Sequence, residues 1–279
     1  MTAEESVRAG RLEEALAELQ GRVRKQAADP RLRVFLFQLL AVMGQWERAL
    51  TQLKVASDLD PSTIGMLKTY QEALRCEVLR ADVFAGKKTP LLFGEPSEWM
   101  AWVVQALKLS AEEKFEEAAA LRDKAFEAAP ATSGKINDQP FAWIADADPR
   151  LGPVLEAVVN GRYYWIPFGR LREVRVEKPV DLRDVAWTPA SLTLANGGET
   201  VALIPTRYPG SESSPDSRLV MARATEWVER PGSMYLGLGQ RLLATDQGEF
   251  PLMDVRTIQL DVVADTTQPE QPAAPTDPA

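Results

Sequence analysis

Residues 44–61 read GQWERALTQLKVASDLDP. Within this stretch Gly44, Trp46, Ala49, Ala56 and Pro61 sit on a template that recurs along the chain. Gly10, Leu12 and Ala15 repeat its opening 34 residues earlier. Phe115, Ala118, Ala125 and Pro130 repeat it 69 residues later, close to two periods. Small residues at fixed places, a closing Pro and a period of about 34 residues are the signature of tetratricopeptide-type helix pairs. Such repeats stack helices and present a surface to another protein, and they seldom carry chemistry.

Working outward, Val7, Leu12, Leu16, Leu19 and Val23 recur at helical spacing and predict helical structure over 3–26. Asp29-Pro30 punctuates, since Pro suits a helix start where its missing N–H is not needed. Helices are predicted over 31–43, 46–58, 62–85, 97–109 and 112–128. Ala49 and Ala56 are small where helices approach, and Trp46 and Phe115 plug gaps between them. Residues 87–96, with two prolines and a glycine, are a predicted loop, and 131–135 mark a boundary.

Beyond residue 140 the pattern changes. Asp148-Pro149 is expected to cap a short helix ending near Asn160-Gly161. Strand-type runs follow at 163–168, 171–176, 191–195, 200–204, 224–229, 235–238, 241–245 and 254–262. Asn196-Gly197 marks a tight hairpin, because both residues tolerate positive φ. The predicted class is α+β in two parts: a tetratricopeptide-like α-solenoid over 1–135 and a compact, mainly β domain over 136–262, a barrel or sandwich. Residues 263–279 are rich in Pro, Thr, Gln and Ala and read as a disordered acidic tail.

Composition excludes several functions. The net charge is −8, of which Asp261, Asp265, Glu270 and Asp277 supply half, so no basic face for nucleic acid is expected. Cys76 is the only cysteine, which rules out an intramolecular disulfide and suits a small buried apolar role. The N-terminal Met-Thr-Ala-Glu-Glu is no secretory signal, and no apolar run approaches membrane-spanning length. The expected address is the cytoplasm. There is no histidine, which removes Ser–His–Asp triads, Cys–His pairs and most catalytic zinc sites.

What remains for chemistry is thin. Asp146 and Asp148 could hold a hard cation, though a cap and a solvated acid is the plainer reading. Asp181 and Asp184 could be an acid–base pair, or could simply pair with each other and with Arg172 and Arg175. Gly237-Leu238-Gly239 is an incomplete dinucleotide fingerprint, and no Gly-Lys-Ser/Thr phosphate loop exists. The loop Pro205–Glu212 is either a long hairpin connection or a partner-contacting loop. Arg207 and Tyr208 favour the second, because Arg and Tyr concentrate at interface centres.

The second half also carries long motifs in a fixed order: 143–156, 160–168, 181–184, 196–199, 204–212, 223–227, 239–241 and 254–256. With the repeats before them they closely resemble the ImpE family, also called TagJ or SciE-type proteins, accessory components of bacterial type VI secretion systems. The resemblance runs from the first repeat to about residue 260. It implies a cytoplasmic, non-enzymatic adaptor without a cofactor. It also implies that the adaptor binds a short helix on the small subunit of the contractile sheath, and so influences how the sheath meets its AAA+ disassembly ATPase.

The resemblance supplies no binding residues, so contacts are sought from physics. In the helical half, Phe37, Trp99 and Trp102 are the aromatics expected to stay partly exposed and to line a helix groove. In the second half the candidates are Trp165, Arg207, Tyr208 and Trp227, with an edge strand as another acceptor. Replacing Arg207 and Tyr208 by Ala is expected to weaken binding without unfolding. The alternatives are a carboxylate- or metal-dependent hydrolase built on Asp146, Asp148, Asp181 or Asp184, and a permanent structural scaffold.

Overall fold

A computed structural model describes residues 2–95, 97–232 and 234–262. The expected tail, 263–279, lies outside the described residues. The chain opens with α1 (Ala3–Arg8), set by a capping box between Thr2 and Glu5. Next come α2 (Leu12–Lys25), α3 (Pro30–Val42) and α4 (Trp46–Leu59). Asp29 caps α3, its carboxylate accepting from the Arg31 and Leu32 amides, with Pro30 at the first helical position. Asp60 accepts from the Ser62 amide and starts a short 3-10 turn into α5 (Ile64–Phe84). After β1 (Leu91–Leu92) come α6 (Glu98–Ala111) and α7 (Phe115–Ala128). The template alanines Ala15, Ala49, Ala56, Ala118 and Ala125 are buried, as close helix packing requires.

The template glycines have a second reason to exist. Gly10 and Gly44 break their helices at φ +76° and +68°. A Cβ on Gly10 would also lie 2.6 Å from Ser217 Oγ, and one on Gly44 2.6 Å from Glu212 Cγ. The turns between repeats are therefore pressed against the second half of the chain.

That second half supplies β2 (Gly134–Ile136), β3 (Gln139–Phe141), β4 (Ile144–Asp146), β5 (Val154–Val159), β6 (Arg162–Pro167), β7 (Leu171–Val176), β8 (Trp187–Leu194) and β9 (Glu199–Pro205). A single-turn helix, α8 (Ser217–Val220), precedes β10 (Thr225–Arg230), β11 (Met234–Gly239), β12 (Leu242–Thr245), β13 (Gly248–Pro251) and β14 (Thr257–Leu260). The main sheet runs β1-β6-β5-β9-β8-β7-β14-β2-β3, parallel only at β1–β6. A small sheet, β13-β12-β4, and the β10–β11 hairpin complete it. The β8–β9 hairpin turns at Asn196-Gly197, with Gly197 at φ +86°, as the sequence predicts.

Two expectations fail in instructive ways. The helix predicted after Asp148 is β5, whose six residues Val154–Val159 are all buried. An apolar run buried on both faces looks alike as a helix or as a central strand. The loop predicted over 87–96 contains β1, which joins the sheet before α6 begins.

The faces of β5 explain the core. Leu155, Ala157 and Val159 point into the sheet's own apolar cluster. Val154 and Val158 point the other way, into a cluster shared with Cys76, Val83, Trp99, Val103 and Ala125 of α5–α7. A third cluster joins α1–α5 to Val185, Ala186, Trp187, Val220, Met221 and Ala222. Helices and sheet thus share two of three apolar cores.

Candidate functional site

Glu156 lies on the helix-facing side of β5, between Val154 and Val158, and is fully buried. A carboxylate there must be neutralised and hydrogen-bonded. Arg80 on α5 meets it with two bonds, Nε to Oε1 at 2.8 Å and Nη2 to Oε2 at 3.0 Å. Arg241 and the Tyr163 hydroxyl also bond to it. Arg241 spans to Asp146 through its other terminal nitrogen, and its Nε donates to the Pro205 carbonyl at 3.0 Å. Glu77, one turn before Arg80, accepts from Trp187 Nε1 at 2.9 Å.

The electrostatics follow from burial and pairing. Burial alone would raise Glu156, but Arg80 and Arg241 overcome it and hold the carboxyl at about 2. Asp146 is dominated by burial, which Arg241 offsets only in part, and it is pushed up to about 6. Burial likewise raises Glu77 against the pull of Arg80. The result is a sealed ion network that ties α5 to β4, β5 and the chain before β12.

The other candidate acids are equally engaged. Asp148 accepts from the Arg150 amide at 2.9 Å and the Gly237 amide at 2.8 Å, and pairs with the Arg150 side chain. It caps no helix; it pins a turn. Asp181 and Asp184 form a capping box around the 3-10 turn Leu182–Val185, and Asp181 pairs with Arg183. The expected pairing with Arg172 and Arg175 is replaced by that local one, and Arg175 pairs with Glu173. Among the described residues no group of three or more His, Cys, Asp or Glu is placed to hold a metal ion.

Five of the seven aromatic and arginine candidates are buried: Phe37, Trp99, Trp165, Arg207 and Tyr208. The expectation that Phe37 and Trp99 stay partly exposed is corrected, and Trp165, Arg207 and Tyr208, offered as contact residues, are covered as well. Phe37 packs 5.7 Å from Tyr70, which packs 5.7 Å from Trp187, and Trp187 also meets Trp46 at 5.9 Å. The chain's own second half thus fills the aromatic face of the repeats. Trp165 donates to the Tyr163 hydroxyl at 2.8 Å, beneath α5. Arg207 donates to the carbonyl of Val42, the last residue of α3, at 2.8 Å, and also to that of Val220. A cation at a helix C-terminus satisfies open carbonyls and suits the helix dipole. Burial brings Arg207 down to about 10, so it stays charged at neutral pH. Tyr208 exchanges hydrogen bonds with the Leu242 backbone.

Trp102 and Trp227 remain half-buried. Lys124 Nζ sits 3.7 Å from the Trp102 ring centre. Trp227 lines an open groove of about 590 Å³ with Arg122, Ala147, Pro149, Tyr235 and Glu249.

A further open groove lies away from the expected contacts. It is about 260 Å³ and lies between α2, α3 and α4, lined by Gln20, Val23, Arg24, Arg33, Leu36, Leu40, Arg48 and Gln52. Its signal was present as Arg33, Leu36 and Leu40 at i, i+3 and i+7 on α3. No helix among the described residues is long and apolar enough to cross a membrane.

Comparison with known proteins places this architecture. Residues 138–259 match the ImpE protein family. The chain is 54% identical over 261 residues to the type VI secretion system accessory component TagJ of Pseudomonas aeruginosa, covering 94% of this chain and 92% of that protein. A crystal structure of a protein from Vibrio parahaemolyticus superposes with a TM-score of 0.84 at 23% identity, over 92% of this chain and 97% of that one, and so shares the fold. With the family match and near-full-length identity together, the chain belongs to the ImpE/TagJ family.

Proposed function

We propose that this protein is a cytoplasmic, non-enzymatic accessory adaptor of a type VI secretion system. It captures a short helix of the small sheath subunit and thereby influences how the sheath meets its AAA+ disassembly ATPase. The observation that carries this reading is the 54% identity to TagJ across 94% of the chain. Two features of the molecule support it. The carboxylates offered for hydrolytic chemistry, Asp146, Asp148, Asp181 and Asp184, all accept structural hydrogen bonds. Helix pairs in a repeat also offer grooves into which an amphipathic helix can lay its apolar face.

The test is calorimetric titration of the full chain with a synthetic peptide spanning the N-terminal helix of the cognate small sheath subunit. One-to-one binding with a Kd of about 1–10 μM or tighter, near −8 kcal/mol, is expected. No heat and no displacement by a folded protein would refute the sheath-helix assignment.

A further inference from the structure

The groove beside Trp227 is assembled from four parts of the chain. Trp227 and Tyr235 come from the β10–β11 hairpin, Arg122 from α7, Ala147 and Pro149 from the turn after β4, and Glu249 from β13. In the hairpin register Trp227 lies opposite Gly237 and Tyr235 opposite Glu229. The two rings therefore stand on one face as diagonal neighbours, about 7–8 Å apart. Tyr208 packs 5.7 Å from Trp227 and braces it, while Tyr235 stays 48% exposed. Arg122 pairs with the exposed Asp123 through Nη2 at 3.1 Å, and its Nη1 is buried without a hydrogen-bond partner among the described residues. A buried donor without an acceptor is costly, so this side of the groove favours a guest that brings one.

The chain itself holds a sequence that fits this groove. Residues 268–278, outside the described residues, read QPEQPAAPTDP, with Pro269, Pro272, Pro275 and Pro278 three residues apart. Missing amides at every third position disfavour helix and sheet, whereas polyproline II has three residues per turn and needs no internal hydrogen bonds. In that conformation the four prolines share one face, successive rings about 9 Å apart, close to the separation of Trp227 and Tyr235. Segments of the Pro-x-x-Pro type dock into aromatic-lined grooves at low entropic cost. Residues 263–279 also carry Asp265, Glu270 and Asp277 and no Lys or Arg, which complements Arg122. Glu249 repels an acid beside it, so Arg122 and Glu249 together give a bound strand its direction. The distance is within reach. The Asp261 amide donates to the Ser133 carbonyl at 2.9 Å, which fixes where the segment leaves the fold. The chain from Arg122 to Ser133, along the end of α7 and the turn after it, spans at most about 30 Å. At about 3.1 Å per residue, polyproline II covers that span between Val262 and Pro272.

We propose that this groove is the docking site for the chain's own proline-rich segment, residues 268–278, held in polyproline II against Trp227 and Tyr235. The inference stands apart from the adaptor reading, since every group it uses belongs to this chain. Tethering takes the place of tight affinity. The covalent link supplies an effective concentration on the order of 1 mM, so a segment whose free Kd is about 100 μM fills the groove most of the time.

The test uses the full chain and a fluorescein-labelled peptide of residues 266–279, with binding read by anisotropy. Replacing Pro269, Pro272, Pro275 and Pro278 by Ala in the protein frees the groove, and that variant should bind the peptide with a Kd of about 100 μM. The wild type, its groove filled by its own segment, should bind at least about tenfold more weakly. Within the four-proline variant, Tyr235→Ala should weaken binding at least about fivefold and Tyr235→Phe should retain it. Trp143→Ala, at an exposed aromatic outside the groove, should change nothing. A peptide of the same composition with its prolines moved off the three-residue spacing should bind at least about fivefold more weakly. Equal binding by wild type and the four-proline variant would overturn the proposal, as would no binding by that variant up to about 1 mM. Equal affinity for the respaced peptide, or equal loss with Tyr235→Ala and Trp143→Ala, would overturn it too. If the wild type forms dimers that the four-proline variant does not, the segment docks on a second copy and the intramolecular assignment fails.

Discussion

Two sets of three arginines divide the molecule. Arg80, Arg207 and Arg241 are buried where helices meet sheet, and each is held by carboxylates or backbone carbonyls. Arg24, Arg33 and Arg48 line an open groove, and among the described residues they pair with no carboxylate. The residue type is the same and the work is opposite. A buried, paired guanidinium fixes one arrangement of the fold, because removing its partner strands a charge away from water. An exposed, unpaired one costs the fold little and leaves charge available to another molecule.

The comparison breaks most visibly at the seam. Arg241→Ala should destabilise by about 3–5 kcal/mol, because Asp146 and Glu156 lose their shared counter-charge. Urea unfolding checks it, and a loss near zero would mean the network is not closed. Trp187→Ala should cost about 3–5 kcal/mol, since its ring bridges Trp46 and Tyr70 and its indole nitrogen satisfies Glu77. Arg207 and Tyr208 belong with this group. Replacing both by Ala opens the core, so that pair is no test of partner binding.

Gly44→Ala should cost about 1–2 kcal/mol, from a left-handed φ and a Cβ pressed on Glu212. Thermal unfolding measures it, and a neutral result would mean the second half can draw back from the repeat turns.

A smaller effect is pH dependence. Asp146 sits at about 6 against its ordinary 3.8, raised by burial. Its contribution is therefore present below 3.8 and is lost as pH rises through 6. Glu156 runs the other way: held at about 2 against 4.5, its contribution is present above 4.5 and is lost as pH falls toward 2. Between pH 4.5 and 6.5 the wild-type Tm should decline relative to that of Asp146→Asn, which cannot titrate there. Parallel curves would contradict the assignment. The smallest effect on the fold belongs to Arg24→Glu with Arg48→Glu, which should leave Tm within about 2 °C.

The repeats were legible because helix packing writes itself into sequence. Ala49, Ala56 and Ala125 must be small, and Gly10 and Gly44 must turn. The strands β6–β9 were legible from alternation and from the Asn196-Gly197 turn. β5 was not, because Val154–Val159 is apolar on both faces and its period is silent. The seam was misread for a related reason. Arg and Tyr in the 205–212 loop look like interface residues, and they are, but the interface lies within the chain. Arg207 caps α3 across 165 residues of sequence. Neither spacing nor composition tells an internal contact from an external one. The groove on α2–α4 is faint in sequence, because the i, i+3, i+7 spacing of Arg33, Leu36 and Leu40 also describes ordinary helix packing.

The interior seam is closed within the chain, so the proposed partner helix must dock without opening it. Amide hydrogen exchange of the full chain, with and without the sheath-helix peptide, tests it most directly. The predicted result is added protection at surface segments, with the buried network around β5 equally slow in both states. Faster exchange in β5 on binding would contradict it.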